Sequence, residues 1–484
     1  MDKDLLSIQE ARDLADAAYQ AQLVWSHATQ AEVDRVCAAM AEAAYQASGL
    51  LGQMASEETG YGVPAHKKLK NELGSRIVWE SIKEVPTVGV IRHDAQHRVY
   101  DIAWPVGVIA GLTPSTNPTS TAMFKVLSAV KARNAIIIAP HPSAAQCTFE
   151  TCRIMQEAGE KAGAPAGLVS AMRHISLPGT DELMHHKRVR LILATGGSGM
   201  VKAAHSVGKP AYGVGPGNVP VYVDRSADLQ KAARYIVASK AFDCSTICAT
   251  EQSVIADQPI ARELERLMQS EGAYFADEHQ TDLLRRLLFH PDGSINTASV
   301  GKPAQTVAGL AGFSIPQSAR VIVARLQKTG ESEPLSREKL TTVLGWYEED
   351  GWEAGCDRSI ELIMFGGRGH TQIIHARDEK VIMAFGLEKP VFRILVNTMG
   401  TLGAVGLTTG LMPSMTLGAG GEGGSITGDN ITVHHLYNIK RLAYEITPPP
   451  PSALGGSFPS GAEANTQNVE ALVRKIVQEI INQK

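Results

Sequence analysis

From Val106 onward the chain repeats one pattern: a short apolar run, a segment long enough for a crossover helix, then another apolar run. That repetition restricts the fold more than any other feature. The runs 106–112, 135–139 and 191–194 have the length of β-strands, and Phe124, Leu127 and Val130 recur at helical spacing between the first two. Consecutive strands joined through helices lie parallel and are covered on both faces, so the pattern predicts an α/β lobe of βαβ units. A second series follows Gly217, over 219–223, 253–256, 321–324, 372–375 and 392–396, and predicts a second α/β lobe. Two lobes suit the length, because 484 residues exceed what one hydrophobic core ordinarily supports.

The flanking segments read differently. The first ninety residues are helical in pattern: Thr29-x-x-Glu32 is a capping box, and Val33, Val36, Cys37 and Met40 follow at helical spacing. Residues 88–103 alternate around Asp94-Ala95-Gln96 as a hairpin arm would. Residues 448–451 are four prolines, and the Gly, Ser and Ala that continue to Thr466 make 448–466 an extended linker. Beyond it Val469, Leu472, Val473, Ile476, Val477, Ile480 and Ile481 form one apolar helical face, so 467–484 is expected to be an amphipathic helix on a tether. A helix of that length needs a surface to bury its face. The tether keeps it away from the body, and a face without aromatics, with Arg474, Lys475 and Lys484 set against Glu470 and Glu479, suits a bilayer poorly. A groove on a partner protein fits best.

Composition narrows the class. With 44% hydrophobic and 20% charged residues the chain is an ordinary globular one, and a formal charge of -4 offers no basic face for nucleic acid. No apolar run reaches membrane-spanning length, and Met1-Asp2-Lys3-Asp4-Leu5-Leu6-Ser7 lacks the charged and apolar regions of a secretion signal. Six cysteines without a closely spaced framework suit a reducing compartment. A cytosolic enzyme without membrane or nucleic-acid partners is expected.

Cys248, in Phe242-Asp243-Cys244-Ser245-Thr246-Ile247-Cys248-Ala249-Thr250-Glu251-Gln252, precedes an apolar run and so belongs in a turn at the mouth of the second lobe. A thiol there can serve as a nucleophile if N–H groups or a positive charge stabilise its thiolate. Taken alone a cysteine before a strand is a weak signal, and it reads more readily as a small buried hydrophobe. Cys244 has no second Cys or His pair at ligand spacing nearby, so no metal is expected. What raises Cys248 is its company: Thr113-Pro114-Ser115-Thr116-Asn117-Pro118, Thr195-Gly196-Gly197-Ser198-Gly199-Met200 and Gly213-Val214-Gly215-Pro216-Gly217-Asn218 all fall at strand ends. The first lies where α/β folds place ligands, and the glycine-rich turns let backbone approach a phosphate or nicotinamide closely.

These segments, with Ala139-Pro140-His141-Pro142 and Cys248-Ala249-Thr250-Glu251-Gln252-Ser253, resemble the aldehyde dehydrogenase superfamily, and within it the CoA-acylating branch. The resemblance implies two Rossmann-type lobes: a nicotinamide-binding domain over 1–87 and 104–216, a catalytic domain over 217–430, and an oligomerisation arm over 88–103 and 431–447. It makes Cys248 the nucleophile and the Asn117 amide, with the Cys248 N–H, the oxyanion site. It places the cofactor against Thr113, Pro114, Ser115, His141, Pro142, Thr195, Gly196, Gly197, Ser198, Gly215 and Glu338; for Glu338 a solvated surface carboxylate is the alternative. It also implies a homo-oligomer, dimer or tetramer, and coenzyme A as cosubstrate. Tethered helices like 467–484 resemble the encapsulation peptides of bacterial microcompartment cargo. That implies residence in a compartment lumen within a bacterial cytoplasm, with a shell or another cargo protein bound through 469–481.

Two departures from hydrolytic relatives carry chemistry. Those enzymes activate water with a glutamate at the position of Gly213-Val214, and neither residue here accepts a proton, so a soft thiol such as that of CoA wins over water. His141 and Ala144 stand where many relatives carry lysine and a ribose-binding glutamate. NAD is the expectation from the relatives, and NADP stays open. The aldehyde is not set by the sequence: acetaldehyde, propionaldehyde and sulfoacetaldehyde are all open. Rival readings are a hydrolytic dehydrogenase, an acyl-phosphate reductase of the same fold, and a shell-bound interaction protein with a decayed site.

Overall fold

The computed structural model describes residues 2–454, together with the helical, exposed Ala471, Arg474, Lys475 and Gln478. The amphipathic helix expected over 467–484 otherwise lies outside the described residues, as does most of the linker; within its described part, Pro451–Leu454 forms a single 3₁₀ turn. Among the described residues no helix is long and apolar enough to cross a membrane.

The α/β class holds. Five parallel strands form the first sheet, in the order Val169–Ala171, Ala135–Ala139, Val108–Leu112, Val189–Thr195, Ala211–Val214. The chain starts at the centre, winds out to one edge, and returns to the other side of Val108–Leu112. The reversal opens a crevice at the carboxyl ends of Val108–Leu112 and Val189–Thr195, where open α/β sheets place ligands. Helix Pro118–Lys131 differs from its expected single buried face: every residue in it is buried, because the sheet lies on one side and helices Gln30–Gln46 and Ala145–Lys161 on others. Its lysines must then find oxygen, and Lys125 Nζ donates to the Leu112 and Leu193 carbonyls at 2.5 and 2.8 Å.

The capping box is present, with Glu32 N–H on Thr29 Oγ1 at 3.3 Å and Thr29 N–H on Glu32 Oε2 at 2.8 Å. It starts helix Gln30–Gln46, which buries Val33, Val36, Cys37 and Met40. Each such side chain contributes about 1.5–3 kcal/mol when fully buried.

Seven parallel strands form the second sheet, in the order Ala273–Phe275, Val321–Arg325, Val343–Glu349, Glu251–Asp257, Val219–Val223, Gln372–His375, Ile394–Val396. The hairpin read at 88–103 is Gly89–Asp94 paired antiparallel with Val99–Pro105, and Tyr437–Ala443 adds a third strand. Between the last strand of the second sheet and that third strand, Val405, Met415, Ile431, Val433 and Leu436 pack into the core of the first lobe.

Candidate active site

The crevice predicted by the sheet topology is a cavity of ≈ 270 Å³ between the lobes. Thr113, Pro114, Ser115, Asn117, His141, Pro142, Thr195, Gly196, Gly197, Gly215, Cys248 and Glu338 all line it. Ser198 does not; it opens helix Ser198–Ser206, one residue behind Gly197. That helix has no side-chain cap, so its first N–H groups face the glycine turn with no side chain bound to them, a donor set suited to a phosphate. Ala144 is buried against Ala55 and Cys147 rather than lining the cavity. The carboxylate in that region is Glu58, which accepts from Gln146 and Cys147 N–H at 2.8 and 2.7 Å.

Cys248 is reached through an unusual turn. Asp243, Cys244 and Ser245 are consecutive non-glycine residues at φ 47, 51 and 66°, in the left-handed region that costs about 1–2 kcal/mol per residue. Cys248 emerges half-buried after it, and Thr250 N–H closes the turn on Ile247 O at 2.9 Å. Burial pushes the thiol up to about 12, and the Glu338 carboxylate pushes in the same direction. Arg393 and the N–H groups of Cys248 and Ala249 oppose them. Cys244 is also buried, with its thiol pushed up to about 11, and it does not line the cavity.

Glu338 is not the solvated surface carboxylate allowed by the sequence. It is 9% exposed, its Oε1 accepts from Gly217 N–H at 2.9 Å, and burial raises it to about 7. It lies inside because its neighbours Leu335, Ser336, Lys339, Thr341 and Thr342 are buried with it, and Lys339 donates to the Leu335 and Arg337 carbonyls at 2.7 and 2.9 Å.

Asn117 precedes helix Pro118–Lys131 but does not cap it. Its Nδ2 donates to Thr246 O and to Thr116 Oγ1, each at 3.1 Å, and its Oδ1 accepts from Lys70 Nζ at 2.6 Å.

Sequence reasoning missed three residues beside the site. Lys70 is 4% exposed and touches Asn117. His370 is 1% exposed, and Gly217 is wedged between its ring and the Cys248 carbonyl: a Cβ on Gly217 would sit 3.1 Å from the first and 2.3 Å from the second. Its Nε2 has no hydrogen-bond partner among the described residues, and burial pushes the imidazole down to about 3. Arg393, 2% exposed, donates to the Gly418 carbonyl, and to that of Gly428 at 3.2 Å. Only the Gly-His-Thr sequence after helix Trp352–Gly366 hinted at His370, because a polar pair before a buried strand needs a reason.

A two-lobed α/β protein with a half-buried cysteine at the crevice between the lobes is a narrow class. The sequence profile of the aldehyde dehydrogenase family matches residues 5–274, and the chain belongs to that family. An acetylating aldehyde dehydrogenase from Geobacillus thermoglucosidasius superposes with a TM-score of 0.92 at 49% identity, covering 93% of this chain and 99% of that one. A propionaldehyde dehydrogenase from the fucose utilisation microcompartment of Clostridium phytofermentans superposes with a TM-score of 0.82 at 27% identity, covering 89% and 96%. The aldehyde-alcohol dehydrogenase of Streptococcus pneumoniae is 41% identical over 409 residues, 83% of this chain and 46% of that protein. The chain thus spans about half the length of the first curated relatives it matches.

Proposed function

We propose that the chain oxidises a short aldehyde of the acetaldehyde or propionaldehyde class to its acyl-CoA, with a nicotinamide, NAD, as acceptor. The observation that carries this reading is the pairing of Cys248 with a cavity wall that holds no water-activating base at 213–214. Gly213 is packed so closely that a Cβ would lie 2.5 Å from His205 Nε2, and Val214, which lines the cavity, is apolar. The acetylating name of the Geobacillus relative supports the same outcome.

The residues present fit a dinucleotide: the uncapped helix at Ser198, the Gly196-Gly197 turn, and the rim of Thr113, Pro114, Ser115, His141, Pro142 and Gly215. When bound, the nicotinamide supplies the hydride acceptor, with Glu338 at its ribose. Cys248 Sγ adds to the aldehyde carbonyl, and the resulting alkoxide accepts from Asn117 Nδ2 and the Cys248 N–H. Loss of hydride from that carbon leaves a thioester on Cys248. The CoA thiolate then adds to the thioester, the same donors hold the second oxyanion, and Cys248 leaves as thiolate.

The first lobe with the N-terminal helices serves as the cofactor domain and the second as the catalytic domain. The free edge of Tyr437–Ala443, exposed along six of its seven residues, supports a homo-oligomer formed through the arm. The tethered 467–484 segment supports loading into a microcompartment, as does the source of the Clostridium relative. The test is aldehyde-dependent NADH formation with and without CoA, with NADP in parallel.

A further inference from the structure

The Asn117 amide has a buried ammonium behind it. Lys70 Nζ donates to Asn117 Oδ1 at 2.6 Å, to the Asp243 carboxylate, and to Thr246 Oγ1 at 3.2 Å. Asp243 is 0% exposed and holds a second lysine, Lys67, at 3.2 Å; Lys67 also donates to Thr116 O at 3.1 Å. The remaining carboxylate oxygen accepts from Val63 N–H at 2.7 Å.

An asparagine side chain presents its oxygen or its nitrogen with almost the same shape, so its orientation is set by its neighbours. An ammonium has only donors. The Asn117 oxygen must therefore face Lys70, and the nitrogen turns toward Thr116 and Thr246, which line the cavity with Cys248. A cation on the amide oxygen also draws electron density from the nitrogen and strengthens its N–H groups as donors. Two lysines on one carboxylate leave a surplus positive charge on the Asn117 side. The cluster is an expensive way to hold a fold together. It buries charge, puts Asp243 at φ 47°, and needs Gly62, where a Cβ would sit 2.1 Å from Asp243 Oδ1.

We propose that Lys70, clamped by Asp243, is a positioning residue for the oxyanion site, fixing the Asn117 amide with its nitrogen toward the reacting carbonyl and supplying positive charge behind it. This rests on the reading of Cys248 and Asn117 given above.

An activated ester, p-nitrophenyl acetate, acylates a cysteine through the same kind of oxyanion with no aldehyde, CoA or nicotinamide present. The p-nitrophenolate burst therefore reads this site directly, whereas alkylation of Cys248 by iodoacetamide forms no oxyanion. Lys70→Met is expected to slow the burst about tenfold to a hundredfold while alkylation changes less than about threefold. Lys70→Arg should recover part of the loss. Asn117→Ala should cost much less in the Lys70→Met background than in the parent, because the two act as one unit. A burst in Lys70→Met within about twofold of the parent, or an undiminished Asn117→Ala effect, overturns the proposal.

A second measurement needs no Lys70 variant. The groups facing Lys70 Nζ are Asp243, Lys67 and the Cys244 thiol, and burial brings Lys70 down to about 8. The ratio of parent to Asn117→Ala burst rates should fall as pH rises past that value. A constant ratio contradicts the proposal. Failure to form NADH from any short aldehyde would strike the dehydrogenase reading and leave these ester results standing.

Discussion

Gly217 N–H donates to Glu338 Oε1 at 2.9 Å, and through Gly217 the carboxylate is tied to the backbone that packs on the Cys248 carbonyl. The bond holds a carboxyl whose burial raises it to about 7 against an ordinary 4.5. With a folded value above the unfolded one, the folded state binds the extra proton between those two pH values. The contribution to stability is full below about 4.5 and is lost as pH rises through about 7. Glu338→Gln keeps an acceptor for Gly217 and removes the charge. Urea unfolding at pH 8 should show the variant more stable by on the order of 2–3 kcal/mol, with the gap closing toward pH 5. Equal stability at pH 8 would mean that the carboxylate is better solvated than its 9% exposure implies.

The two cysteines of the turn separate cleanly. Cys248→Ala is expected to abolish both aldehyde oxidation and acyl-CoA reduction. Cys244→Ala should keep turnover within the same order of magnitude, because Cys244 is buried away from the cavity. Steady-state rates in both directions check this, and comparable losses would remove Cys248 from its role.

Much of this was legible in the sequence, and the exceptions have physical causes. Five strands of the second sheet stood out as apolar runs. Ala273–Phe275 is too short to register, and Val343–Glu349 hides its run behind Gly345 and a Glu-Glu end. The cavity-lining turns were visible because glycine and proline punctuate strand ends. Lys70 was invisible for the opposite reason: His66-Lys67-Lys68-Leu69-Lys70 reads as a solvated helical face, and only Lys68 is solvated, its side chain 56% exposed. The partner that draws Lys70 inward, Asp243, is 173 residues away, and no local spacing reveals it.

Val214 and Gly213 are adjacent but unequal positions for restoring a hydrolytic base. Val214 lines the cavity, whereas any side chain at Gly213 meets His205 and Val201. Val214→Glu is expected to release free acid from the acyl-enzyme in the absence of CoA, and Gly213→Glu to fail to fold. Chromatography of the products decides it; no CoA-independent acid from Val214→Glu would show that a carboxylate there does not reach the thioester.

Deleting residues 467–484 is expected to leave specific activity unchanged, because Cys248, Asn117 and the other described residues that line the cavity all lie outside the deleted segment. Residues 448–484 fused to a fluorescent protein should move it to a microcompartment shell. A fusion that stays diffuse beside intact cognate shells, or a truncated enzyme with reduced activity, would count against the tether as a loading device.

Product analysis tests the central claim most directly. The enzyme is given acetaldehyde or propionaldehyde and NAD, with and without CoA, and NADH, acyl-CoA and free acid are measured together. The account expects sustained NADH formation only with CoA, with acyl-CoA formed one for one. Sustained NADH with stoichiometric free acid in the absence of CoA would contradict it.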